Sequence, residues 1–466
     1  MTDLHYESLL GVSAKIRSRQ VSSVEVTRAM LDRIERFDGR LNSFLMVMPE
    51  AALAAARRAD EEIASGQWRG PLHGVPLGVK DLLFTKGLPT SAGMRIHREF
   101  KPDYDATVVA RLKRAGSVII GKVHMTEGAT LDHHPDFPRP DNPWVADHWT
   151  GVSSSGSGVA PAAGFCYGAL GTDTGGSIRI PSACCGLSGI KPTWGRVSRY
   201  GLFPLGQSLD HIGPMARTTA DAAAILKVIA GADPNDPTAL PDPVADYLSE
   251  IGAGVEGLVI GVDWAFATND VDPDMAAAFK AAIATLEDLG AQVRPVSFPP
   301  HPTSEAFPLM MAEIVASHQD TFPSRADDYG PSLRGMLESG SEVTGQMVVR
   351  SNLARLRFNG QLARLFQDVD ILAVPTLTRG APSWTEVEEM AQDMVAMMNG
   401  LMRYTVPFNL SGSPTLSVPC GFDARGLPLS LQLVGRRLEE GVICRAGHAY
   451  QSVTDFHTRH PILSPA

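Results

Sequence analysis

Residues 150–158 read TGVSSSGSG, and residues 167–195 read YGALGTDTGGSIRIPSACCGLSGIKPTWG. By composition the first tract, four serines and three glycines in nine positions, is a flexible spacer. A spacer would lead into a new domain. Here the small residues run on instead, through VAPAAG and a strand-like GALG, into a second glycine-rich turn, DTGGS. Two Gly/Ser turns flanking one small-residue element predict two backbone loops brought to a common point. Glycine permits positive φ and close approach to a ligand, and successive amides in such a turn form an anion-binding nest. At a serine, that is the geometry of an oxyanion hole.

Outward from this centre the chain alternates between helical and strand-like segments. Ser22 and Glu25 form a capping-box pair ahead of Val26, Met30, Ile34 and Phe37 at helical spacing. EAALAAARRADEEIAS is a second helix. The apolar runs GVPLGVKD and GSVIIGK read as buried strands, with a helix around Thr107 to Ala115 between them. After the glycine-rich middle come a helix from about Thr219 to Ala230 and a turn-rich stretch, GADPNDPTALPDP. GLVIGVD, AQVRPVSF, DVDILAVPTL and SPTLSVPCG are strand-like; DPDMAAAFKAAIATLEDLG and EEGVICRAGHAYQSVTD are helical. The alternation predicts an α/β class. No repeat or linker separates two cores, so residues 1–466 are expected to form one unit: a helical segment about 1–65, a core about 66–230 and a variable segment about 300–402.

Composition narrows the function classes. The chain has 466 residues, 44% hydrophobic and 20% charged, as in ordinary globular enzymes. A net charge of −10 offers no footprint for nucleic acid. The five cysteines are odd in number, and adjacent Cys184 and Cys185 lack zinc-site spacing, so a reduced, cytoplasmic chain is expected. MTDLHYESLLGVSAKIRSRQ carries no secretory pattern. The longest apolar-looking stretch, VAPAAGFCYGALG, is too short and too glycine-rich to span a bilayer, so no membrane is expected as a partner.

A serine nucleophile needs a base. Of thirteen histidines, none sits in a GxSxG elbow with a matched acid. Lys80, ending the apolar run GVPLGVK, is the other candidate, because lysine is rarely buried without cause. Its free pKa of about 10.4 makes it a poor base near neutrality, and desolvation lowers that value. A strand-end lysine reaching solvent is the plainer reading of the same residue.

Three stretches together, PLHGVPLGVKDLL, TGVSSSGSG and GTDTGGSIRIPSACCGLSGIKPTWGRVSRYG, resemble the amidase signature family, and the likeness covers nearly the whole chain. The resemblance implies a large mixed, mostly parallel twisted β-sheet covered on both faces by helices. It makes Ser177 the nucleophile, Ser153 the bridging serine and Lys80 the general base, the serines lying 24 residues apart as in the family. The loop departs from the family's GGSSGG at Val152 and Ser155, and the family often has a cis peptide before the bridging serine. Backbone N–H groups of Thr174, Gly175, Gly176 and Ser177 are expected to hold the oxyanion, with Asp173, Arg179 and Ser154 supporting the turns. No metal or organic cofactor is implied, and a monomer or homodimer is expected. A relative that had lost activity would lack the lysine or a serine; all three are present.

The resemblance leaves two activities open. One is a free-standing amidase acting on linear carboxamides, including aryl amides, or on carbamates or esters. The other is the glutaminase (A) subunit of a tRNA-dependent amidotransferase, whose pattern GRVSRYGLFPLGQSLDHIGP approaches. Against the second, HMTEGATLDHHPDFPRPDNPW departs from the subunit's KTNMDEFAMGSSTENS-like run. LMRYTVPFNLSG also carries Met402 and Arg403 where the subunit has an acidic residue, and Arg403 is expected to repel a glutamine ammonium group. The family builds its acyl pocket from segments that here are Met125–Pro138 and about Phe307–Met402. That selects Met125, Thr126, Trp384 and Met398 as candidate substrate contacts. Methionines at helical spacing, such as Met390, Met394 and Met397, are more often core filler than pocket lining. Those that do line the site favour a bulky apolar or aromatic group.

Overall fold

Runs such as PLGVK, VIIGKV and GALGTD show no polar alternation, the pattern of strands buried on both faces. In the computed structural model, which describes residues 4–393 and 397–465, they are the centre of one sheet. Its strands among the described residues are β1 (Phe44–Val47), β2 (Pro76–Lys80), β3 (Val118–Val123), β4 (Gly168–Asp173), β5 (Ser188–Lys191) and β6 (His211–Ala216), followed by β7 (Val259–Val262), β8 (Gln292–Pro295), β9 (Ile371–Pro375), β10 (Thr415–Phe422) and β11 (Pro428–Gly435). Their order is β1-β3-β2-β4-β6-β5-β10-β11-β9-β7-β8. Every residue of β2 to β6, β9 and β11 is buried, whereas the edge strand β1 is half-buried and the edge strand β8 is largely open to solvent.

The sheet is mixed and flanked by helices, as expected. The expected parallel majority does not hold. β2 runs parallel to β3 and β4, and β7 to β8 and β9; the other six neighbouring pairs are antiparallel. One cause is local. Only the turn DARGL joins β10 to β11, and a connection that short permits nothing but a hairpin.

The helices read from the sequence are present. Ser22 caps Ser23–Leu41 through a full capping box with Glu25. Pro49–Ala64, Thr107–Arg114, Thr219–Ile229, Pro273–Asp288 and Glu440–Ser452 follow in their expected places. Between β8 and β9 stand three helices that the pattern did not reveal: Thr303–Ser317, Pro331–Gly340 and Gly345–Leu365. The five cysteines are buried and unpaired. No helix among the described residues is long and apolar enough to cross a membrane.

Candidate active site

β2 and β4 run side by side and carry Lys80 and Thr172 near their C-terminal ends. The TGVSSSGSG tract is no spacer: it folds back beside them and starts the helix Ser155–Ala162. The peptide between Val152 and Ser153 is cis. Small residues are required at both ends of the tract. A Cβ on Gly156 would lie 2.3 Å from the Ser43 carbonyl oxygen, and one on Gly151 2.6 Å from the backbone of Pro181. That second approach sets the serine loop beside the turn that bears Ser177.

Lys80 is fully buried. Its Nζ lies 2.8 Å from each of three hydroxyls, Ser153 Oγ, Ser154 Oγ and Thr172 Oγ1. Burial pushes its pKa well below the ordinary lysine value, against the pull of Asp173 and Asp210. The three partners differ in what they can give. Ser154 Oγ donates to the Thr172 carbonyl (3.1 Å) and accepts from the Thr172 N–H (3.2 Å), so its proton is committed and it can only accept from Lys80. Ser155 Oγ meets His133 Nε2 at 3.0 Å, and Ser157 Oγ donates to the Leu170 carbonyl. Ser153 therefore remains as the serine whose hydroxyl proton can face the amine.

The second turn hangs on Asp173. Its carboxylate accepts from the Gly176 N–H (2.9 Å), the Ile178 N–H (3.1 Å), Arg179 Nε and Nη2 (both 2.9 Å) and Asn409 Nδ2 (2.8 Å). Burial raises its pKa, but Arg179 beside it and these hydrogen bonds hold the carboxyl below the usual range. Arg179, itself buried, also donates to the Thr405 carbonyl, Gln432 Oε1 and Asn409 Oδ1. Thr174 donates to Asp210 (2.5 Å), and Thr405 to the Gly175 carbonyl (2.6 Å). Gly176 sits at φ 138°, where a Cβ would strike Ile180 and Thr405 at 2.6 Å. Ser177 is half-buried at the end of this turn.

One expected oxyanion donor is corrected. Gly176 directs its N–H at Asp173 rather than outward, because the carboxylate needs it to close the turn. The N–H groups of Thr174, Gly175 and Ser177 have no backbone or side-chain acceptor among the described residues.

The candidate substrate contacts divide. Met125 is buried, and Thr126 turns its hydroxyl to the Thr130 carbonyl (2.7 Å) while its N–H holds the Ser153 carbonyl (3.2 Å). Thr126 thus supports the serine loop. Trp384 lines a cavity of about 350 Å³ with Glu127, His133, Arg139 and Gly330, and Arg139 stacks over its ring at 3.9 Å. Within that cavity burial raises Glu127 to about 7, while burial depresses His133 to about 3. Met398 is half-buried in the turn Met398–Met402. Met402, from the same turn, packs its methyl group over Gly175. Met394 lies outside the described residues.

Arg403 does not face this site. It donates to the carbonyls of Asn269 and Phe266, both at 2.9 Å, and stacks on Phe266 and Tyr404. Its expected repulsion of a glutamine ammonium group therefore has no structural basis. The arginine is drawn off by two carbonyls and an aromatic cluster.

A family model described as Amidase matches residues 25–444. The chain is 49% identical over 455 residues to the "Putative amidase AmiD" of Mycobacterium tuberculosis, covering 97% of this chain and 95% of that protein. It is 40% identical over 495 residues, with full coverage of both, to the A subunit of the glutamyl-tRNA(Gln) amidotransferase of Chloroflexus aggregans. Among solved structures, the native peptide amidase from Stenotrophomonas maltophilia superposes with a TM-score of 0.83 at 30% identity, covering 97% and 98% of the two chains.

Proposed function

Because the chain belongs to the amidase family, we propose that it is a serine amidohydrolase cleaving the C–N bond of small linear carboxamides, with Ser177 as nucleophile, Ser153 as relay and Lys80 as base. The observation that carries this reading is the buried amine of Lys80, 2.8 Å from Ser153 Oγ and surrounded by hydroxyls alone. Neutral Lys80 takes the Ser153 proton as Ser153 takes that of Ser177. Ser177 Oγ bonds to the carbonyl carbon, whose π electrons move to oxygen. The Thr174, Gly175 and Ser177 amides support this oxyanion, each donor being worth roughly 3 kcal/mol. Collapse breaks the C–N bond, the proton returns through Ser153 to the departing amine, and water then releases the acid from Ser177 by the same relay.

The half-buried Met402 over Gly175 favours an apolar or aryl group over a free α-amino acid. Carbamates and esters share the carbonyl geometry and enter the same reading. Turnover of a panel of p-nitroanilides, primary amides, carbamates and esters tests it, together with fluorophosphonate labelling of wild type and Ser177→Ala. Labelling that survives Ser177→Ala would overturn the assignment.

The 40% identity to the A subunit of an amidotransferase favours a second reading, glutaminase activity within a complex. Neither Met402 nor Arg403 offers a carboxylate for a glutamine ammonium group. Ammonia release from glutamine as fast as arylamine release from aryl amides would decide for this second reading.

A further inference from the structure

Helix Gly345–Leu365 has two apolar faces. Ser351, Ala354, Phe358 and Leu362 point into the protein. On the opposite side Val349, Leu353 and Leu356 are 60%, 50% and 65% exposed. These three are among the eight large hydrophobic side chains left exposed among the described residues. Scattered exposed apolar residues are ordinary; three on one face of one helix are a patch.

The spacing of the patch is informative. Val349, Leu353, Leu356, Gly360 and Ala363 follow one another at alternating steps of four and three, the seam of a coiled coil. Arg350, Arg357 and Arg364 repeat every seven residues along one flank, and the helix contains no Asp or Glu. Arg357 lies 3.7 Å from Glu305, an exposed pair of little strength. Arg350 and Arg364 reach no carboxylate among the described residues. At about 100° per residue the other flank falls beside a groove of about 760 Å³ lined by Asn359, Ala363, Phe366, Arg436 and Arg437. An apolar seam with an arginine row along one side thus stands on a chain whose net charge is −10, while Arg436 on the groove side is paired with Asp370 (3.1 Å) and Glu439 (3.6 Å).

A second copy does not complement this face. Antiparallel self-pairing would set the arginine row against itself, and parallel pairing would set it against Asn352 and Asn359. Neither supplies a carboxylate. We infer that this face docks an acidic amphipathic helix of another protein, its apolar side chains on Val349, Leu353 and Leu356 and its carboxylates along Arg350, Arg357 and Arg364. A Cβ on Gly360 would meet no atom within 4 Å, so the partner backbone can approach closely there. The inference is independent of the chemistry at Ser177.

The test uses the full chain and a fluorescein-labelled synthetic helix of about four heptads, with Leu at the seam and Glu at the flanking positions, beside a twin with Lys at those flanks. By anisotropy the Glu helix is expected to bind at least ~tenfold tighter than the Lys helix at low salt, the gap closing as salt rises. Leu353→Asp/Leu356→Asp should weaken the Glu helix by ~tenfold or more. Arg350→Glu/Arg357→Glu/Arg364→Glu should reverse the preference toward the Lys helix. Unchanged amide turnover shows that these surface variants remain folded. Equal binding of both helices, or of neither, would overturn the inference. So would a wild-type dimer by light scattering that Leu353→Asp/Leu356→Asp makes monomeric, or sedimentation with phosphatidylserine vesicles that the same change abolishes.

Discussion

Two buried lysines stand on neighbouring strands, Lys80 at the end of β2 and Lys122 on β3, and their surroundings differ in one respect. Lys122 Nζ donates to the Leu83 carbonyl (2.7 Å) and to two threonine hydroxyls, and lies 3.5 Å from the Asp81 carboxylate. Among the described residues, the hydrogen-bond partners of Lys80 Nζ are hydroxyls alone. A carbonyl or carboxylate can only accept, so it favours a protonated amine, whereas a hydroxyl can accept from an ammonium or donate to an amine. Burial lowers both pKa values, and Asp81 opposes the shift at Lys122 from contact range. One environment suits a structural cation. The other lets a proton pass.

Exchanging the lysines for an apolar residue of similar length breaks the comparison most severely. Lys80→Met is expected to lower kcat by about 10⁴ or more while leaving the thermal midpoint unchanged or higher, since it removes a desolvated amine. Lys122→Met should leave kcat/KM of the folded enzyme nearly intact and cost about 3 kcal/mol, because Asp81 stays buried beside Ser91 without its cation. Steady-state kinetics and urea melts of the two variants check both halves. Equal kinetic losses would erase the distinction.

The serine run sharpens it at the next level. Ser153→Ala should lose about 10³ in kcat, as expected for a proton relay. Ser154→Ala removes hydrogen bonds to the Thr172 backbone and should cost about 1 kcal/mol of stability with less than about a tenfold change in rate. Equal rate losses would mean that the relay is shared.

The pH profile reads the amine itself. A lysine with the ordinary pKa of about 10.4 would be under about 1% neutral at pH 8, and the rate would climb roughly tenfold per unit up to pH 10. With its pKa depressed by burial, Lys80 predicts a flat kcat/KM across that span. The linkage to folding has a definite sign. A lowered lysine pKa gives stability that is fully present above the unfolded value and is lost as pH falls through the folded value. Lys80→Met should flatten that slope in urea titrations.

Asp210 supplies the opposite slope. Burial raises its pKa from 3.8 to about 6, against the hydrogen bonds from Thr174, Gly206 and Leu205. A raised carboxyl pKa gives stability that is present below 3.8 and lost as pH rises through about 6. Relative to Asp210→Asn, the wild type should lose about 2 kcal/mol between pH 4 and 7. A difference that does not vary with pH would show that Asp210 remains ionised throughout.

The sequence made the chemistry legible because its geometry is written in short-range motifs. GVPLGVK places Lys80 at a strand end, and DTGGS needs its glycines for reasons that local sterics express. Thr172 and Asp210 were not legible. Each contributes through a contact across the sheet or a long loop, and a threonine in GTD or an aspartate in SLDH carries no local mark of it. The three helices between β8 and β9 escaped for a related reason. Thr303–Ser317 contains Pro308, and Gly345–Leu365 is apolar on both faces, so neither shows a clean single-sided period. The turn DARGL and the strand PLSLQLVG show how a missed hairpin overstates the parallel share of a sheet.

Arg403 gives the smallest expected effect and separates charge in the sequence from charge at the site. Its guanidinium holds the Phe266 and Asn269 carbonyls and lies over the Phe266 ring. Arg403→Ala should therefore cost about 1 kcal/mol of stability, through lost hydrogen bonds and stacking, and leave the ratio of glutamine to aryl-amide turnover unchanged. Met402→Glu in parallel places a carboxylate above Gly175, where the methyl group now packs. If the absence of an acid is what disfavours glutamine, that ratio should rise with Met402→Glu alone. A rise with Arg403→Ala would instead return the arginine to the site and require the loop Met398–Met402 to take another path over the turn.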